Sequence, residues 1–172
     1  MIKKNVDGTY ERRLREWSEI APKNPLPWLL RAQYLYSIGM LVNNDKIAKE
    51  KVASFRLLML MAEKDVGTAI QLAPKNRYGR YLQLLILINS SNETKISDAF
   101  SRSIEILPDF DSLYALRLTG VHLRGGDSIK TIYKFVDEYA GNEPPDSPLR
   151  MLYLMQYKQL LGFSSDRCKQ KQ

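Results

Sequence analysis

The chain has 172 residues, of which 44% are hydrophobic and 26% charged, with 9 Gly and 8 Pro, a composition inside the globular range and long enough for a real core. Its single cysteine, Cys168, excludes an intrachain disulfide and a thiolate metal site, and its longest apolar stretches, Leu57 to Ala62 and Leu84 to Ile88, fall far short of the roughly 20 residues that span a bilayer. The net charge of +7 is confined to the first half, with 15 Lys+Arg against 8 Asp+Glu through Ser90 and 11 against 11 thereafter, so a local positive field can steer acidic partners.

Strand signals are nearly absent, and apolar residues recur at spacings of three and four, the mark of amphipathic helices. The first helical pattern covers 9–20, with Leu14, Trp17 and Ile20 on its stripe, and the second covers 26–40 through Leu29, Ala32, Leu35 and Met40. A third, 46–73, would run about 42 Å as one helix. Its stretch "VASFRLLMLMAEK" is apolar on more than one face, so it either packs against the N-terminal helix around Trp17 or presents Phe55, Met59 and Leu60 to a partner. A break near Glu63 into two helices is the alternative. Further patterns cover 77–89, 94–107, 111–124, 128–140 and 147–161. The expectation is one all-α domain of about eight helices over 1–162, with a polar, disordered tail over 163–172. With no leader and no spanning segment in view, a cytoplasmic setting without membrane attachment is expected.

Between the helices lie breakers. The phrase Ala-Pro-Lys-Asn occurs twice, at 21–24 and 73–76. Proline cannot donate into the helical ladder and disfavours helical geometry in the residue before it, so each copy closes one helix and opens the next. Helix-closing prolines stand at Pro22, Pro74, Pro108 and Pro144, with intervals of 52, 34 and 36 residues. A helix-turn-helix period of 34 is the tetratricopeptide-repeat (TPR) period. The interval of 52 fits a repeat whose second helix is extended by about five turns.

On these residues the chain resembles the tetratricopeptide-repeat superfamily over roughly 22–145. Trp28 stands six residues after Pro22 and Tyr114 six after Pro108, at the family's aromatic position; Ala62, Val66 and Ala69 before Pro74, and Ile96, Phe100 and Ser103 before Pro108, match its packing positions. Arg80 replaces the aromatic in the middle repeat, Arg31-Ala32 replaces Leu-Gly, and Lys130, Lys134 and Asp137 fail the pattern in the third. The resemblance implies a TPR-like α-solenoid of antiparallel helix pairs, with an irregular all-α bundle as the alternative. Each pair has too little apolar surface to close a core alone and must stack on its neighbour. It also implies that first helices line a concave face, here Leu29, Gln33 and Tyr36, then Tyr78, Tyr81, Leu85 and Ile88 or Asn89, then Ala115, Thr119 and His122. The clamp some relatives use for acidic C-terminal tails is missing its Lys, Asn and Arg set at Leu29, Gln33, Tyr81 and Leu85.

Candidate chemistry is scarce. His122 is the sole histidine and no Cys, Ser or metal-ligand motif completes a site around it, so a helix residue in or beside the groove is the simpler reading. Asp109 and Asp111 sit where a helix begins, which helix capping explains. Neither a cofactor nor a metal is expected.

Tyrosine offers contact area with few rotors to freeze and a hydroxyl to pair, and the ten tyrosines include several at concave positions. Arg12, Arg13, Arg15, Lys23 and Arg31, with Lys75, Arg77 and Arg80 at the repeated turn, could form a basic patch beside Tyr78 and Tyr81. A solvated helix face, an acidic protein partner and single-stranded nucleic acid all fit such a pattern, nucleic acid least well. The expected function is a non-enzymatic protein-binding module, of adaptor, chaperone or assembly-factor type, that holds another protein through Gln33, Tyr36, Tyr78, Tyr81, Arg77, Arg80, Thr119 and His122. A bacterial immunity protein that neutralises a toxin, and an RNA or single-stranded nucleic-acid binder, are the alternatives.

Overall fold

The computed structural model describes residues 8–44, 49–123 and 128–169, without the side chains of 44, 49–51, 122, 123, 128, 160 and 162–169. Among the described residues there are eight α-helices and no strand: α1 (Thr9–Ile20), α2 (Pro25–Asn44), α3 (Lys49–Leu72), α4 (Arg77–Ser90), α5 (Glu93–Ile106), α6 (Asp111–Leu123), α7 (Ser128–Ala140) and α8 (Met151–Lys169), the last preceded by a 3-10 turn at Pro148–Arg150. Every helical pattern in the sequence has its helix. α8 carries on through Lys169, into the stretch expected to be a disordered tail. The chain divides between Leu107 and Pro108 into two compact units, where the sequence suggests one domain.

In the first unit α2 and α3 form the most extensive pairing, α4 packs on both, α1 packs on α2, and α5 on α4. α3 is unbroken past Glu63. The long proline interval is not explained by a single extended helix, because α2 has 20 residues against 14 in α4, and α3 has 24 against 14 in α5. Both members of the first pair are lengthened, so each keeps its partner along its whole length. Nor does α3 reach α1: Tyr10 of α1 meets Tyr34 of α2, with ring centroids 5.4 Å apart. Of the three α3 residues expected at a surface, Met59 is buried and Phe55 packs against the core, while Leu60 points outward at 62% exposure.

The core of this unit joins Leu29, Ala32 and Leu35 of α2 to Met59, Ala62, Val66, Ala69 and Ile70 of α3 and to Leu82 and Ile86 of α4. Ala62, Val66 and Ala69 keep the helices close, and Gly39 does the same from α2: a Cβ there would collide with the Met59 methyl. Glycine inside a helix costs about 0.5–1 kcal/mol relative to alanine. Here it leaves room for the Met59 methyl, which would have to swing aside for any larger residue.

One charge pair crosses this core. Asp65 of α3 is 1% exposed, and its two oxygens accept from Nε and Nη2 of Arg31 of α2, both at 2.6 Å. The Arg31 guanidinium also lies 5.2 Å from the Trp28 ring centroid. Bonding to Asp65 raises the pKa of Arg31 against the opposing effect of its burial, with the Asp65 charge adding to the rise.

In the second unit α6, α7 and α8 contact one another pairwise. Lys130, Lys134 and Asp137 are exposed, and the buried stripe of α7 is Ile132, Val136 and Ala140. These three residues do not occupy packing positions, as their departure from the pattern suggests. Ile132 lies 12 residues before Pro144, as buried Ala62 does before Pro74 and buried Ile96 before Pro108. Tyr139 packs between Phe135 and Tyr114, with centroids 4.8 and 5.4 Å away.

Two predictions follow from these contacts. Arg31→Leu strands a buried carboxylate and should cost about 3 kcal/mol in urea unfolding, most of it recovered when Asp65→Leu is added, since an apolar pair can replace a buried ion pair but a lone charge cannot stay. Tyr139 is pushed up to about 12, chiefly by burial and then by the charge of Glu138. The unfolded chain ionises this phenol near pH 10 and the folded chain does not, so its contribution is complete below pH ~10 and lost between ~10 and ~12. Alkaline unfolding followed by circular dichroism should begin later in Tyr139→Phe than in the wild type.

Candidate functional site

The repeated phrase makes the same turn twice. Ala21 O accepts from Asn24 N at 3.0 Å, and Ala73 O accepts from Asn76 N at 3.0 Å, with proline in the second position, where its fixed φ suits a β-turn. The closing asparagine then serves the next helix: Asn24 Oδ1 accepts from Leu26 N at 3.0 Å and Asn76 Oδ1 from Gly79 N at 2.8 Å.

The proline carbonyl is satisfied in a recurring way. Six residues on, Trp28 Nε1 donates to Pro22 O at 3.2 Å, Arg80 Nε to Pro74 O at 3.0 Å, and Tyr114 Oη to Pro108 O at 3.2 Å. Arg150, six residues after Pro144, donates through Nε to Glu143 O at 2.8 Å. Arg80 therefore occupies the slot of the aromatics and not a place on the surface. It is 8% exposed, and burial, then the charge of Arg102, lowers its pKa. What the position demands is a long side chain with a donor at its tip, and Arg, Trp and Tyr all supply one.

These turns start α2 and α4 in the same way, and the two helices bring four of the expected site residues together. Tyr78 Oη donates to Gln33 Oε1 at 2.6 Å, and Asn89 Nδ2 donates to Tyr36 Oη at 3.3 Å. Gln33 is oriented by a second bond, Nε2 to Ser37 Oγ at 3.0 Å. Tyr81 lies close enough to raise the pKa of both Tyr36 and Tyr78, although burial is the larger cause in each. Both phenols stay neutral and can donate or accept. Tyr78 is 47% exposed, with Gln33, Tyr36, Tyr81 and Asn89 half-buried around it. The result is a ridge of phenol and amide groups across two helices, suited to bonding a peptide backbone.

The basic patch is thinner than expected. Arg31 is committed to Asp65 and Arg80 to Pro74 O, while Lys23 is exposed at the first turn and Lys75 and Arg77 are exposed at the second, beside Tyr78. Arg12, Arg13 and Arg15 are exposed on α1, where Arg12 meets Glu16 at 3.8 Å one turn away, the geometry of a solvated helix face. In the second unit, Thr119 is half-buried and donates to Ala115 O at 3.0 Å. His122 lies in α6, with its side chain outside the described residues.

Asp65 was not marked by sequence reasoning, though its signal was present: a carboxylate inside the Ala62, Val66, Ala69 stripe needs a cation on the facing helix. No helix is long and apolar enough to cross a membrane, and no group of three or more His, Cys, Asp or Glu could hold a metal, among the described residues. Comparison with protein-family models, curated proteins and solved structures finds no match.

Interchange at the carbonyl-capping position tests the equivalence of the turns. Arg80→Tyr should hold stability within about 1 kcal/mol of the wild type, whereas Arg80→Leu, which leaves the Pro74 carbonyl without its donor, should lose about 1–2 kcal/mol by thermal and urea unfolding.

Proposed function

We propose that this chain is a non-enzymatic, TPR-like helical-repeat module that binds another protein across the first helices of its successive pairs. The observation that carries this reading is the hydrogen-bonded ridge of Gln33 and Tyr36 on α2 with Tyr78 and Asn89 on α4. Two helices that each follow an Ala-Pro-Lys-Asn turn offer tyrosines and amides to the same surface, with orientations held by bonds within the chain. Preorganised aromatic groups lose little entropy on binding, and a partner backbone can pair with the remaining donor and acceptor capacity of the amides.

A repeat arrangement is supported by the proline carbonyl bonds and by Ala62, Ile96 and Ile132, each buried 12 residues before its proline. Lys75 and Arg77 at the rim favour a partner with carboxylates near its contact segment. With Arg31 and Arg80 turned inward, two of the eight cations of the expected patch are withdrawn from any nucleic-acid backbone, which weakens that alternative.

The test is affinity capture by the full chain with the retained proteins identified by mass spectrometry. Tyr78→Ala combined with Tyr81→Ala should reduce capture of the principal partner by about thirtyfold, the loss of a 2 kcal/mol hot spot, at unchanged helicity. Undiminished capture would remove this ridge from the interface.

A further inference from the structure

The first unit carries a second feature that the ridge does not use. α3 and α5 make no close backbone approach among the described residues, and between them runs a furrow. It opens as a cavity of about 600 Å³ between α3 and the α4–α5 connection, lined by Val52, Phe55, Arg56 and Leu60 of α3, by Ser91 and Asn92, and by Asn43 of α2 and Asn89, the one ridge residue it touches. A second cavity of about 400 Å³ continues it past Lys64 and Gly67 to Gln71, and the two share Leu60, Glu63 and Lys95. Lys95 Nζ and Glu63 Oε1, 3.1 Å apart, bridge the gap. From Val52 to Gln71 the furrow follows α3 for about 28 Å at 1.5 Å per residue.

This outer side of α3 is unusually apolar for a surface. Val52, Leu57, Leu60 and Met61 are all exposed, Leu60 most of all. The exposed charges beside them are cationic, Arg56 one turn before Leu60 and Lys64 one turn after it, while the carboxylate of Glu63 is already met by Lys95. Gly67 adds an independent observation. It sits inside a helix, where glycine is costly, yet a Cβ built on it meets nothing within 4 Å. Unlike Gly39, no neighbour in this chain needs it to be small. A groove with Val52, Phe55 and Leu60 at one end, a polar stretch past Glu63, cations at its edge and a bare backbone position fits a partner helix that approaches closely at Gly67 and carries acidic residues along its flanks.

We propose that the α3–α5 furrow is a docking groove for an acidic amphipathic helix of another protein, which seats apolar side chains beside Leu60 and places carboxylates against Arg56 and Lys64. The furrow's length matches about five turns of such a helix.

The probe is a fluorescein-labelled synthetic helix of roughly 18 residues, with Leu at positions i, i+3, i+4 and i+7 repeated and Glu on the flanks, compared with a version carrying Lys for Glu. Fluorescence anisotropy on the full chain should show the acidic peptide binding at least about tenfold more tightly than the basic one, with affinity falling as salt rises. Leu60→Asp, and Arg56→Glu with Lys64→Glu, should each weaken it by about tenfold or more. Leu60 is exposed, so its replacement leaves the fold intact. Gly67→Ala should raise the melting temperature and yet weaken the peptide, a combination a purely structural glycine would not give. Tyr78→Ala with Tyr81→Ala should leave peptide affinity unchanged, which separates this groove from the ridge.

Equal binding of the two peptides, or binding indifferent to Leu60→Asp, overturns the proposal, as does loss of binding in the tyrosine double variant. Sedimentation showing a concentration-dependent dimer that Leu60→Asp dissociates would assign the furrow to a second copy instead. Cosedimentation with phosphatidylserine vesicles that Leu60→Asp abolishes would assign it to a membrane surface. Either result rejects the acidic helix as its occupant.

Discussion

The bidentate pair between Arg31 and Asp65 is the constraint on which the first unit depends. A carboxylate that is 1% exposed cannot remain in an apolar interior without a partner, and Arg31 meets both of its oxygens from the facing helix. An ion pair of this kind adds little net stability over a good apolar packing, but it penalises every misalignment, because a slip of α2 along α3 would leave both charges desolvated. Trp28 extends the constraint backwards: its ring lies under the Arg31 guanidinium while its indole N–H bonds Pro22 O. Turn, first helix and second helix are thereby locked in one register. Gly39 and Met59 then bring the same two helices into close contact further along.

From this register the surface chemistry follows. α4 packs against α2 and α3 at a position set by Leu82 and Ile86 entering their core, and this brings Tyr78 to Gln33 and Asn89 to Tyr36. The ridge is thus a consequence of core packing one layer below it. Its hydroxyls and amides are bonded to each other, so they stay oriented without a ligand, and burial keeps the phenols neutral. The furrow on the other side of α3 arises from the same geometry. α3 turns Met59, Ala62 and Val66 inward to α2 and α4, while on its other side Val52, Leu57, Leu60 and Met61 are exposed and the Glu63–Lys95 pair reaches across to α5.

The turns show how different residue types meet one physical requirement. A proline that ends a helix leaves its carbonyl to be satisfied, and a residue six positions later can return to it from the first turns of the next helix. Indole, guanidinium and phenol each do so here, at Trp28, Arg80 and Tyr114. Arg80 therefore fills the aromatic position by hydrogen bonding and not by shape.

Helix number and the turn at Ala-Pro-Lys-Asn were determined by the sequence alone, because each rests on local chemistry: periodic apolar residues, proline without a donor, asparagine capping the helix after it; the end of α8, at Lys169 and not 161, was not. The buried faces of α3 and α5 were equally readable from Ala62, Val66, Ala69 and from Ile96, Phe100, Ser103. Tertiary structure alone decided the rest. Arg31 and Arg80 look like surface cations in the sequence, and what turns them inward is a carboxylate 34 residues away and a carbonyl six residues back. Leu60 and Met59 are neighbours of similar hydrophobicity, and which of them is buried depends on how α3 rolls against α2, a rotation set by packing across the pair that a one-dimensional pattern leaves open.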